Sequence, residues 1–200
     1  MRRTSRPGRP RNETAESHAA IMDAVFALLQ ETSARDLTME AVARRARVGK
    51  PTLYKWWPSK AALVLAMFQE RLAGQLEAPE ARTSEEAFRI RVRLLIQGFN
   101  GLFGKVMADL IAEGQSEPEI LRDLYQQHMR PRRAGAIADV ERAKANGEFR
   151  RDTDAELLVD SIVGPIYFRL LLRFAPLTEA YGEALVEQVL RGARASPKRR

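Results

Sequence analysis

The 200-residue chain contains no cysteine, which excludes disulfides, thiolate catalysis and cysteine-ligated zinc. Histidine is almost absent. His18 and His128 stand far apart, so a multi-histidine metal site would need a second chain. There is no P-loop, no dinucleotide fingerprint and no nucleophile elbow; Ser116 sits in GQSEP, which lacks the elbow's glycine pattern. Runs of alternating β-branched residues are missing, so no strand is predicted. The longest apolar stretch, about residues 162–172, contains Arg169 and is too short to span a bilayer. Arginines crowd the N-terminus, but no apolar segment follows them as in a signal peptide. The expected location is the cytosol, with no membrane partner. Neither metal nor cofactor is expected.

What is present is an ordinary globular composition, 45% hydrophobic and 30% charged, long enough to bury a real core. The net charge of +7 is unevenly placed. Residues 1–60 carry twelve Lys/Arg against six Asp/Glu, whereas residues 61–195 carry eighteen against twenty. The last five residues add three more cations. Arg2, Arg3, Arg6, Arg9 and Arg11 lie in a leader without acids. A basic N-terminal third on a nearly neutral body points to a polyanionic partner there. Residues 1–14 read as a basic arm and residues 196–200 as a basic tail.

The spacing predicts an all-α chain of about nine helices, with Ala, Leu, Arg and Glu dominant. The first covers residues 13–32, capped by Asn12, with Ile21, Val25, Leu28 and Leu29 on its apolar face. The second opens at Thr38 and ends near Ala46. Leu37 and Val42 flank its cap as a hydrophobic staple. Arg47, Val48 and Gly49 form a turn. The third covers about residues 50–57, with Pro51 in its first turn, where a missing N–H costs nothing. Ser59 caps a fourth that extends to about residue 76. A linker at 77–83 leads to a fifth helix, opened by Thr83 and Glu86 at capping-box spacing. A sixth ends near Glu113. A seventh, with Ser116 as cap and Pro118 in its first turn, runs to about residue 145 and is disturbed at Pro131. Asp152 or Thr153 caps an eighth, kinked at Gly164-Pro165. The ninth covers residues 178–194.

The informative segment is LTMEAVARRARVGKPTLYKWWPSKAAL, residues 37–63. A short amphipathic helix, a three-residue turn and a second short helix, about residues 38–57, have helix-turn-helix spacing. Ala41, Val42 and Leu53 fit inward positions. Lys50, Pro51, Thr52, Tyr54 and Lys55 then face outward near the start of the second helix, where side chains reach base edges in a major groove. The Thr38 and Tyr54 hydroxyls suit phosphate oxygens, and Lys60 adds a cation at a helix start.

This stretch resembles the DNA-binding domain of the TetR/AcrR family of bacterial transcriptional regulators. Thr38, Val42-Ala43, Val48, Thr52-Leu53-Tyr54, Trp57, Ser59-Lys60 and Leu63 carry the resemblance. It implies a three-helix helix-turn-helix DNA-binding domain over residues 15–71. Beyond it, residues 72–195 would form a helical ligand-binding and dimerisation domain. Residues 147–154 (GEFRRDTD), Gly164-Pro165 and Pro176-Leu177 resemble one ligand-binding subgroup. By this resemblance Lys50, Pro51 and Thr52 read bases, Thr38, Tyr54 and Lys60 contact phosphates, and Trp57 packs the motif together. Lys55 shares the exposed face. Trp56 stands where His, Tyr or Arg is usual, and both backbone stacking and cover for apolar surface are open to it. Arg47 replaces the usual turn glycine, so a left-handed residue there would cost roughly 1 kcal/mol. Gly49 replaces a capping serine. Arg6, Arg9 and Arg11 would form an arm for a minor groove or for phosphates.

The family's central helices enclose an inducer cavity, for which Phe88, Phe99, Phe103, Met107, Tyr125, Met129 and Tyr167 are candidates. His128 reads as a polar residue near core or surface rather than a ligand contact. The helices near 154–174 and 178–194 would pair with their copies in a homodimer. The implied function is a repressor that binds a near-palindromic double-stranded operator and is released by a small apolar or amphipathic effector. Two rivals belong to other classes: an architectural DNA binder without an effector, and a helical enzyme using Asp109, Glu113 and Glu117. Their i, i+4 spacing also describes a solvated helix face.

Overall fold

The structure, a computed structural model, describes residues 11–72 and 81–195, and the chain divides into two compact units that part between Met67 and Phe68. Arg6, Arg9 and the basic tail lie outside the described residues.

The first unit comprises α1 (Arg11–Glu31), α2 (Met39–Ala46), α3 (Lys50–Trp56) and α4 (Lys60–Met67). Arg11 thus begins a helix rather than continuing an arm. Ile21, Met22, Val25 and Leu29 of α1 meet Val42, Leu53 and Leu63 in a closed core. Each such side chain contributes about 1.5–3 kcal/mol by leaving water. Thr38 caps α2, its Oγ1 accepting from the Ala41 N–H at 3.1 Å. Ser59 does the same for α4 through the Ala62 N–H. Arg45 bonds both Glu31 oxygens at 2.8 and 3.0 Å, tying α2 to α1.

The second unit opens with a π-helical turn, Phe68–Leu72. It continues through α5 (Ser84–Phe99), α6 (Leu102–Gly114), α7 (Pro118–Leu124), a π-turn (Tyr125–Met129), α8 (Arg130–Asn146), α9 (Ala155–Leu172) and α10 (Glu179–Ala193). Because α7, the π-turn and α8 follow without a break, the described residues form nine helical rods and no strand, as the spacing predicts. A single antiparallel bridge pairs Phe149 with Arg194. Phe68 packs against Phe103 and, edge-on, against His128, which explains why it belongs to this unit.

Two local expectations are corrected. The cap of α7 is Glu117, not Ser116. The cap of α9 is Asp154, whose Oδ1 accepts from the Leu157 N–H at 3.0 Å. Asp152 is occupied elsewhere, paired with Arg150 at 2.7 and 3.0 Å. Helix α9 runs on through Gly164-Pro165, with Pro165 inside it.

Helices α5 and α10 are laced by arginine. Arg89 bonds Glu85, Glu183 and Glu187, and Arg194 bonds Glu85 and Glu187. The Arg194 hydrogen bond is the chief reason the Glu187 carboxyl is held down at about 2.

Candidate nucleic-acid interface and ligand cavity

In the first unit the turn between α2 and α3 sets the geometry. Arg47 adopts the left-handed conformation, φ 55° and ψ 39°. The Val48 N–H reaches back to the Ala43 carbonyl at 3.0 Å, closing the end of α2. Gly49 then caps α3 in an extended conformation, and Pro51 sits in its first turn. Leu53, with no exposed surface, pins the inner face of α3.

The opposite face is open. Thr38, Lys50, Pro51, Tyr54 and Lys55 are exposed, with Tyr54 at 51%, and Thr52 is half-buried. Two lysines have partners within the unit. Lys50 pairs with Glu40, and that hydrogen bond holds the Glu40 carboxyl below its ordinary value. Lys60 Nζ donates to the Arg35 carbonyl at 2.8 Å. Thr38 accepts from the backbone, which leaves its hydroxyl proton available to an incoming acceptor. Trp57 is buried. Trp56 is half-buried, edge-on to Trp57 at 5.5 Å and near His18 at 5.8 Å, so part of its ring covers apolar surface.

In the second unit a cavity of about 470 Å³ lies among α5, the second π-turn, α8 and α9. Of the aromatic and methionine candidates, Phe88, Tyr125, Met129 and Tyr167 line it. Phe99, Phe103 and Met107 are not in the lining; they are buried in the adjoining core, where Phe99 and Phe103 stack at 5.7 Å.

Sequence reasoning missed the polar half of the wall. His128, Arg91, Arg132, Arg133, Glu156 and Asp160 all face the cavity. The signal was present: 125, 128, 129, 132, 133 and 136 recur at the three-and-four spacing of one helix face. Arg91 is held by the buried Asp139 at 3.0 Å. Arg133 is held by Asp160 and by Glu156 at 3.1 Å. Arg132 donates to His128 Nδ1 at 2.9 Å and to the His128 carbonyl at 3.3 Å.

His128 is 2% exposed, and burial, reinforced by the Arg132 charge, pushes it down to about 3. The ring is therefore neutral at pH 7. The unfolded chain takes up its proton below about pH 6.5, while the folded chain does not until near pH 3. Stability from this group is complete above pH 6.5 and is lost as pH falls through that window. Denaturant unfolding should show His128→Gln losing about 1–2 kcal/mol less than the parent between pH 7 and pH 5. Equal losses would mean the ring protonates freely in the fold.

Among the described residues no group of three or more His, Asp or Glu is placed to hold a metal. No single described helix is long and apolar enough to cross a membrane.

Comparison with known proteins bears on both units. Residues 21–67 match the family described as bacterial regulatory proteins, tetR family. Residues 78–189 match the tetracyclin repressor-like C-terminal domain. The chain is 32% identical to an uncharacterized HTH-type transcriptional regulator, YdeS, of Bacillus subtilis, over 96% of each chain. It is 27% identical to the DNA-binding transcriptional repressor TetR of Mycobacteroides abscessus, over 86% of this chain and 90% of that one. Among solved structures, the TetR family transcription regulator SCO0332 shares 32% identity, with a TM-score of 0.73, over 91% of this chain and all of that one. The chain belongs to the TetR family of DNA-binding transcriptional regulators.

Proposed function

We propose that the protein is a homodimeric repressor, acting on the chromosome in the cytoplasm, whose operator binding is released by a small molecule. The observation that carries this reading is the pairing of an open α3 face with a lined cavity in the second unit. The repressor named in Mycobacteroides abscessus supports the sign of regulation.

In this reading α3 enters the major groove, with Lys50, Pro51 and Thr52 at the bases. Thr38, Tyr54, Lys55 and Lys60 meet phosphates, and the exposed part of Trp56 packs on the sugar-phosphate backbone. Arg6, Arg9 and Arg11 add charge along the duplex. Lys50 exchanges Glu40 for a base acceptor on binding, which sharpens discrimination because a wrong base leaves the pair with Glu40 as the better alternative. Two copies related by a twofold axis read two half-sites, so operator symmetry follows from protein symmetry. The effector favours a spacing of the two reading helices that no longer matches the half-sites. By linkage, operator DNA then weakens effector binding by the same factor.

Two substitutions separate reading from anchoring. Lys50→Ala should relax sequence preference, with a loss of about 1–3 kcal/mol on the operator and little on random duplex. Tyr54→Ala should weaken binding to every sequence alike. Titrations of operator and scrambled duplex at fixed salt check both. Unchanged affinity and selectivity in the two variants would place the reading surface elsewhere.

A further inference from the structure

Two hydrogen-bond donors in the cavity wall have no acceptor among the described residues. The first is on His128, which is buried and whose Nδ1 faces Arg132 Nη1 at 2.9 Å. A guanidinium can only donate, so Nδ1 holds the lone pair and the proton of the neutral ring sits on Nε2. The tautomer is thereby fixed, and Nε2 can only donate. The second is the Tyr167 hydroxyl, on α9. Burial raises it to about 12 against the opposing effect of the Arg132 charge, so it stays protonated and able to donate. Neither atom is sealed in the core, so each keeps accessible surface. A donor taken from bulk water without an acceptor is costly, and folds seldom leave one unless an occupant of the site completes it.

The surroundings hold both groups in place. Phe68 meets the imidazole edge-on at 4.7 Å and Phe103 lies at 5.5 Å. Phe99 meets the Tyr167 ring edge-on at 5.0 Å. His128 also belongs to the π-turn Tyr125–Met129, and single π-turns inside α-helices recur at functional sites. Much of the remaining wall is apolar: Phe88, Val92, Leu95, Val159, Ile162 and Val163. The volume of about 470 Å³ suits a small organic molecule.

We propose that the cavity takes a neutral carbonyl compound, a ketone, ester or lactone on an apolar body, whose oxygen accepts from His128 Nε2–H with the Tyr167 hydroxyl as second donor. A carbonyl oxygen offers two lone pairs and needs no counter-charge, which matches two uncharged donors. A hydrocarbon of the same shape leaves both donors unmet. A carboxylate gives up its hydration to donors that carry no charge, in a cavity it shares with Glu156 and Asp160. An ammonium brings further donors to donors. The inference rests on reading this cavity as the effector site.

The test is direct binding to the full chain by calorimetry and thermal unfolding. The probes are 2-acetylnaphthalene and 4-phenyl-2-butanone. Each is measured beside its hydrocarbon counterpart, 2-isopropylnaphthalene or isopentylbenzene, and beside an acid, 2-naphthoate or 3-phenylpropionate. A ketone sheds its hydrogen bonds to water on entry, so without a waiting donor the hydrocarbon binds better. At least one ketone should raise Tm and bind about tenfold or more tighter than both its hydrocarbon and its acid. His128→Leu should erase that margin and keep the hydrocarbon affinity, whereas a merely structural role would lower both alike. Tyr167→Phe should shrink the margin by about threefold. The infrared carbonyl stretch of the bound, isotope-labelled ketone should lie below its value in hexane and return toward it in His128→Leu. The probe comparison and the infrared shift on the unaltered chain stand without any variant, should one fail to fold. A hydrocarbon or acid that binds as tightly as its ketone, or no binding by either ketone at millimolar concentration, overturns the inference. So does a ketone margin that survives His128→Leu. A ketone that binds as expected but leaves operator affinity unchanged would instead sink the effector reading and leave the carbonyl site standing.

Discussion

Phe168→Glu should turn the proposed dimer into a folded monomer and weaken operator binding by about two to four orders of magnitude. The residue is 55% exposed on α9, with Leu157, Leu171 and Leu172 at 65%, 41% and 60% beside it along the helix and Phe174 at 60% just beyond its end. A soluble monomer rarely leaves so continuous an apolar surface in water. On the same outer side Gly164 has open space where a Cβ would be, so nothing in its own chain fills that position. A second α9 is the occupant proposed. A charge at its centre meets its own copy across the twofold axis, desolvated and unpaired, which is the most costly kind of interface change. Operator affinity follows because one reading head loses the effective concentration supplied by the other, a factor of roughly 10²–10⁴. Sedimentation and operator titration on the same preparation check it. A dimer that persists at micromolar concentration would move the interface to another face.

Gly104→Val should cost about 3 kcal/mol or more in the second unit, enough to threaten its folding. Helix α5 ends at Phe99 and α6 starts at Leu102, with a bend of 79° between them. Gly104, in the first turn of α6, lies against the Phe99 backbone; a Cβ there would overlap the Phe99 carbonyl oxygen and sit 2.5 Å from its Cα. Backbone cannot move aside as the end of a flexible side chain can. Asn100 fixes the corner further, its side-chain amide donating to the Leu177 carbonyl at 2.9 Å. Chemical denaturation monitored by circular dichroism should show the loss. Gly164→Ala, whose new methyl meets nothing in its own chain, should leave monomer stability nearly unchanged.

Local chemistry was the part of the fold most legible in the sequence. Thr38, Ser59, Thr83 and Thr178 each cap the helix predicted to start beside them, because a hydroxyl at that position has one obvious donor to accept from. The turn at Arg47 was legible through the family resemblance: Arg47 stands where a turn glycine is usual, and it adopts the left-handed conformation. Where several residues suited one role, a neighbouring side chain chose between them. Asp152 and Thr153 both read as caps, but Asp152 pairs with Arg150 and the cap is Asp154, whose Oδ1 accepts from the Leu157 N–H. Pro131 announced a disturbance but not its form. Lacking an N–H, it cannot bond the Gln127 carbonyl, and the helix widens into a π-turn just before it. The cavity was least legible. Helical periodicity marks a side chain as inward-facing, and Phe99 and Phe103 are as inward as Phe88. Which of them meets empty space depends on how α5, α8 and α9 are spaced, and no local pattern records that. His128 reads from the sequence as a polar residue near core or surface, and no local pattern sets Arg132 apart as cavity-facing.

The most direct test of the account is selection from random-sequence duplexes by the full chain, followed by affinity measurement on the selected site at fixed salt. The expected outcome is a near-palindrome bound by two chains, tighter than random duplex by at least about 10³, with Lys50→Ala erasing most of that ratio. Selection of no common sequence, or equal affinity for selected and random duplex, would contradict it.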